Sequence, residues 1–168
     1  MADTVPKDRL QPALLDRLTD DEPDHQLEPR AERLISRQRM RQSVLRDLGW
    51  LFNATRMADA DDWPGMPLAL CSVVNFGLPA LAGETASTLD VMQLERMMRQ
   101  AILEFEPRID PATLKLRALA EQIALDRHNR IEVEIRGSLW AQPTPIELLL
   151  RTNVDLETGQ IEIQDLGH

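Results

Sequence analysis

The sequence predicts an α+β domain in which N-terminal helices pack on a C-terminal antiparallel β-sheet of three to four strands. Two observations carry this. Up to residue 105, apolar residues recur every three or four positions, the period of a helix with one buried face. Beyond residue 113 the period changes to two, that of a half-buried strand. Helices followed by a run of strands place the helices together on one face of the sheet. The length, 168 residues, suits one such domain. Residues 1–29 read as a polar, partly flexible leader and 30–168 as the domain.

Within the leader, Leu10, Leu14, Leu15 and Leu18 follow Pro6 and predict a short amphipathic helix. Residues 19–25 are acidic and broken by Pro23, so a linker is expected there. Pro29, in Glu28-Pro29-Arg30, is placed near the start of the next helix. That helix is predicted over 30–56, with Leu34, Ile35, Val44, Leu45, Leu48, Leu51 and Phe52 as its apolar side. Arg33, Arg37 and Arg41 are spaced by four and share one face. Residues 31–56 hold six Arg against Glu32 and Asp47, a local excess of four positive charges. Either this is a solvated helix face or it is a docking face for an acidic partner. A loop is predicted over 57–69, and Gly77 and Pro79 mark a turn into a short helical turn.

Residues 87–105 read as one amphipathic helix. Ser87 or Thr88 is positioned to cap it, and Asp90 lies in the first turn, where the helix dipole favours an acid. Val91, Leu94, Met98, Ala101 or Ile102, and Phe105 make its buried stripe. Pro107 lacks a backbone donor and disfavours helical geometry at Glu106, so the helix ends there. Glu106 and Arg108 then flank a rigid proline at a corner.

Three alternating segments follow, at 114–121, 131–136 and 146–156, with 161–163 as a short edge strand. Asp126-Arg127-His128-Asn129 reads as the first hairpin turn and Thr158-Gly159 as a tight one. Residues 137–145 read as a long connection or as a bulged strand end at Leu139-Trp140.

No apolar run approaches the ~20 residues needed to span a bilayer. Cys71 is the only cysteine, so no internal disulfide is possible, which fits a cytoplasmic protein. The net charge of −9 argues against a general nucleic-acid binder. His25, His128 and His168 are scattered and make no zinc pattern, and no phosphate-binding glycine loop or nucleophile motif is present. No cofactor, metal or catalytic residue is expected. Glu104 and Glu106 resemble a glycosidase pair only superficially. Glu104 lies on a charged helix face, and Arg108 beside Glu106 opposes the raised pKa that a general acid needs. Trp63 and Trp140 read as exposed contacts or as partly buried core.

Four segments, in order, carry a resemblance. Ile35-Ser36-Arg37 and Leu48-Gly49-Trp50-Leu51-Phe52-Asn53 bracket the basic helix. Ser72-Val73-Val74-Asn75-Phe76-Gly77-Leu78-Pro79 follows, and then Phe105-Glu106-Pro107-Arg108-Ile109. Over roughly 30–165 the chain resembles the phage-tail baseplate wedge family, lysozyme-like in label but non-enzymatic, and within it the TssE subfamily of type VI secretion systems. The resemblance implies a structural protein of the bacterial cytoplasm, in a baseplate assembled at the inner membrane, with no membrane insertion. It implies TssF, TssG and TssK as baseplate partners and a connection to the TssB/TssC contractile sheath. It implies that Glu106, Pro107 and Arg108 dock on a wedge core built from TssF and TssG. It implies strand exchange with the sheath somewhere after Leu114, with 146–156 and 160–163 as the expected edge segments. From the residues alone, the favoured reading is instead an internal Glu106–Arg108 pair that fixes the helix-to-strand corner. A regulatory, anti-adaptor-like binding protein and a cell-wall hydrolase are the alternative functions.

Overall fold

A computed structural model describes residues 13–19, 36–59, 61–81, 91–119, 130–141 and 144–167. Its described helices are α1 (Leu14–Leu18), α2 (Arg37–Asn53), α3 (Pro67–Leu70) and α4 (Val91–Phe105), with a single 3-10 turn at Val73–Asn75. The strands are β1 (Lys115–Ala118), β2 (Arg130–Leu139), β3 (Ile146–Asp155) and β4 (Ile161–Asp165). They form one antiparallel sheet in the order β1-β2-β3-β4. The α+β architecture, with α2 and α4 on the sheet, is therefore the one the change of period predicts.

Alternation decides which face is buried. The register aligns Leu116, Ile135 and Leu150 in one row, Ala118, Val133, Thr152 and Ile163 in the next, and Ile131, Val154 and Ile161 in a third. These rows meet Val44, Leu48, Leu51 and Phe52 of α2 and Leu94, Met98, Ala101 and Ile102 of α4 in one core. Thr152 is the polar member of its row, and its buried hydroxyl is satisfied by donating to Val133 O at 3.1 Å. The opposite face carries charge. Arg117, Glu134 and Arg151 lie directly across from one another, and Arg136 pairs with Glu134. The Arg136 hydrogen bond and the nearby arginines hold the Glu134 carboxyl below its ordinary value despite its partial desolvation.

Several boundaries depart from expectation. The basic helix starts at Arg37, because Ser36 is extended and its hydroxyl accepts from Arg39 N at 3.1 Å as an N-cap. It stops at Asn53, short of Arg56, because residues 54–56 pair with Leu78 instead. Leu78 N donates to Ala54 O and Arg56 N to Leu78 O. Gly77 makes this approach possible: its φ is +127°, and a Cβ there would lie 2.3 Å from Ala54 O. The supposed bulge at Leu139-Trp140 is absent, since β2 pairs with β3 without interruption from Arg130 to Leu139. The segment 146–156 is not an edge, because β3 is bonded on both sides, and β1 and β4 are the edges. Short helical turns appear at 67–70 and 73–75, within the predicted loop and the apolar segment after it. The caps proposed at Ser87 and Thr88, the first-turn Asp90, Pro29, Arg33, the linker at 19–25 beyond Thr19, and the turn at 126–129 lie outside the described residues.

The basic face of α2 is neither bare nor purely solvated. Arg37 reaches Thr144 Oγ1 at 3.0 Å and the carbonyls of Thr144 and Pro145. Arg41 pairs with Asp165 at the end of β4. Arg46 pairs with Asp16 and Asp47, and Arg56 with Asp59. These arginines tie α2 to the sheet, to α1 and to the following loop.

Candidate docking site

The corner after α4 is built by a helix stop and a short strand-like contact. Glu106 N makes the last helical bond, to Ile102 O at 2.9 Å, and Ile109 N returns to Glu106 O at 3.2 Å around Pro107 and Arg108. The chain then runs antiparallel to the end of β2. Trp140 N donates to Arg108 O at 2.8 Å and Asp110 N to Ser138 O at 2.9 Å. Ile109, bridged to Leu139, is buried beneath. Backbone bonds thus hold the corner on both sides of the proline, which fixes where its side chains go.

Glu106, Pro107 and Arg108, singled out by the sequence, sit there in three different environments. Glu106 is 3% exposed, Pro107 is exposed, and the Arg108 side chain is 22% exposed. Arg108 Nε donates to Glu106 Oε1 at 2.6 Å, and Nη2 also bonds Glu106 Oε2, a two-pronged pair. Arg108 N donates to the same Oε1 at 3.2 Å. A buried carboxylate needs such a partner, because an unpaired charge out of water is costly.

Arg108 does more than close this pair. Its Nη2 donates to Asp47 Oδ2 at 2.6 Å and its Nη1 to Ser43 Oγ at 3.0 Å, both on α2. Asp47 Oδ1 accepts from Arg46, whose Nη1 bonds Asp16 Oδ1 of α1 at 2.6 Å. Ser43 Oγ donates in turn to Asp16 Oδ2 at 2.7 Å. Acids and guanidinium groups therefore alternate from the corner to α1. Burial opposes the charge on Arg108, but the Glu106 and Asp47 carboxylates prevail and hold its pKa above the ordinary value. Burial likewise opposes ionisation of Asp16, while Arg46 and Ser43 hold its carboxyl below the ordinary value.

The sequence reading missed Asp16, Ser43 and Asp47. Only the four-residue spacing of Ser43 and Asp47, which puts both on one helix face, was visible in the chain. Two tryptophans stand near this network. Trp140, whose backbone N–H donates to Arg108 O, is 63% exposed. Trp50 is half-exposed, with the Arg46 guanidinium 5.1 Å from its ring centre. Trp63 is half-buried.

The Ser72–Pro79 segment proves to be scaffolding for the loop beside α4. Asn75 is buried; its Oδ1 accepts from Ala58 N at 2.9 Å and its Nδ2 donates to the carbonyls of Ala58 and Leu70, each at 3.1 Å. Phe76 meets Phe105 edge-to-face, with ring centres 5.2 Å apart. Glu104 is exposed and accepts from Gln100 at 2.7 Å, whereas Glu106 is buried. Among the described residues, no group of three or more His, Cys, Asp or Glu is placed to hold a metal ion. Among them, too, no helix is long and apolar enough to cross a membrane.

Comparison with known proteins gives a family and nothing narrower. No curated protein and no solved structure gives a significant match. The profile of the family described as baseplate wedge protein gp25 matches residues 38–144, which span α2, the Asn75 loop, α4, the Glu106–Arg108 corner and β2. The chain belongs to the gp25 family of baseplate wedge proteins, structural components of phage-tail-like baseplates.

Proposed function

We propose that this chain is a non-enzymatic baseplate subunit of a bacterial type VI secretion system, of the TssE kind. It docks on a TssF/TssG wedge core, stands beside TssK in the same baseplate, and connects that baseplate to the TssB/TssC sheath on the cytoplasmic side of the inner membrane. Membership of the gp25 family supports the baseplate role. The segments Ser72–Pro79 and Phe105–Ile109 support the narrower assignment.

The observation that carries the docking role is the unequal exposure of the corner. Pro107 projects into solvent between a buried Glu106 and an Arg108 that α2 already orients. Such a corner is preorganised, so a partner would lose little entropy in ordering it. For the sheath, β4 is an edge strand whose outward backbone groups suit strand addition, a mode in which main-chain bonds supply affinity.

Binding of Arg108→Ala to a purified TssF–TssG complex tests the docking role. The measurement is made well below the variant's melting temperature, with circular dichroism confirming a folded chain. Loss of two or more decades in affinity is expected. Wild-type binding by the folded variant would eliminate the docking role.

A further inference from the structure

Alternate residues of an antiparallel strand turn their backbone groups toward opposite neighbours. In β4, Gln160 O accepts from Asp155 N and Leu166 N donates to Leu149 O, so Glu162 and Gln164 face β3 in the same phase. Ile161, Ile163 and Asp165 therefore turn their N–H and C=O groups outward, and these groups are the edge of the sheet.

That edge is closed at one end by a side chain. Asn53 is the last residue of α2. Its Oδ1 accepts from Ile161 N at 3.0 Å and its Nδ2 donates to Ile161 O at 2.9 Å. One carboxamide thus closes the same two-bond ring that the peptide groups of a neighbouring strand would close. Asn53 Nδ2 also donates to Gly49 O at 2.8 Å, which steadies the side chain against its own helix. The opposite edge is guarded as well. On β1 the outward N–H of Ala118 donates to Glu95 Oε1 of α4 at 2.6 Å. At Ile163, by contrast, no described residue bonds the outward groups.

We propose that the outward edge of β4, centred on Ile163, is a strand-pairing surface that Asn53 keeps closed against a second copy of this chain. The edge is self-complementary. Antiparallel pairing about Ile163 sets Ile163 opposite its own counterpart, Ile161 opposite Asp165 and Glu162 opposite Gln164, so no two like charges face each other. Three bonded pairs would form, and two of them use Ile161 of one copy or the other. While Asn53 holds Ile161, only the central pair remains, too little for a stable interface. An unguarded edge strand is an association hazard, and a side chain that covers it keeps free chains apart. The inference does not depend on which protein uses the edge in an assembly.

Asn53→Ala in the full chain tests this by amide exchange and sedimentation equilibrium. In the wild type, Ile161 N–H is expected to exchange at least tenfold more slowly than Ile163 N–H. In the variant the Ile161 amide, measured at low concentration, speeds up at least tenfold and self-association tightens at least tenfold. Adding Ile163→Pro returns the variant to monomer, because it removes an outward donor and leaves the β3 bonds intact. Asn53→Asp, which keeps an acceptor but sets a carboxylate against Ile161 O, gives the same direction of change and serves if Asn53→Ala does not fold. Self-association equal to the wild type in both variants overturns the proposal. So does association that survives Ile163→Pro, or a wild-type Ile161 amide that exchanges as fast as that of Ile163.

Discussion

Arg108 Nη2 donates to Asp47 Oδ2 at 2.6 Å, joining a corner that follows α4 to the middle of α2, sixty-one residues earlier in the chain. The same guanidinium neutralises buried Glu106. The charged motif of the corner is thus part of the fold before any partner arrives. An interface built on it would meet a surface already ordered.

Arg108→Ala is accordingly expected to destabilise the free protein. It strands Glu106 out of water, and losing one member of a buried pair costs on the order of 3 kcal/mol. The melting temperature should fall by roughly 6–12 °C in a chain of this size. Asp47→Asn leaves Glu106 with its partner, and Asp47 is partly exposed, so about 1 kcal/mol and roughly 2–4 °C are expected. Thermal unfolding of the two variants checks the ranking. Equal losses would mean that the Arg108–Glu106 bond does not dominate the corner.

Asn75→Ala removes three hydrogen bonds and leaves Ala58 N, Ala58 O and Leu70 O without them. A loss of about 2–3 kcal/mol is expected for stranded buried groups. Gly77→Ala forces a Cβ into Ala54 O and should cost about 1–3 kcal/mol. Urea unfolding measures both. A neutral Gly77→Ala would contradict the close approach of residues 54 and 77.

Asp16 ties α1 to α2 through Arg46 and Ser43. Its folded pKa lies below the ordinary 3.8, so this contribution is fully present above that value and is lost as pH falls through the lower folded value. Amide exchange across 14–18 should therefore rise in acid before that of α2 does. Release of α1 already above pH 5, with α2 intact, would show that another group controls the tether.

Proline separates the inner strand from the edge. Asn153 turns its N–H toward β4, so Asn153→Pro breaks the ladder and is expected to unfold the sheet. Ile163→Pro should leave the protein folded by circular dichroism, and strand addition by the sheath should be lost. Undiminished recruitment of TssB/TssC by folded Ile163→Pro would rule out β4 as the acceptor.

The chain by itself determined the elements and their order. The change from period 3.6 to period 2 near residue 113 is a local property, and it yields helices on a sheet without knowledge of contacts. Pro107 stops α4 by local sterics, and the alternation from Ile146 onward identifies the buried face of β3. What only the tertiary structure decided is which polar groups meet. Arg37, Arg41 and Arg46 looked alike as helix-surface cations, yet each has a different partner supplied by a distant segment. Asp47, Ser43 and Asp16 complete the Arg108 network only because folding brings α1, α2 and the corner together. Strand order shares that origin. Alternation is the same for an inner and an edge strand, so 146–156 read as an edge until its second neighbour was in place. Hydrophobic period is set along the chain, whereas hydrogen-bond partners are set across it.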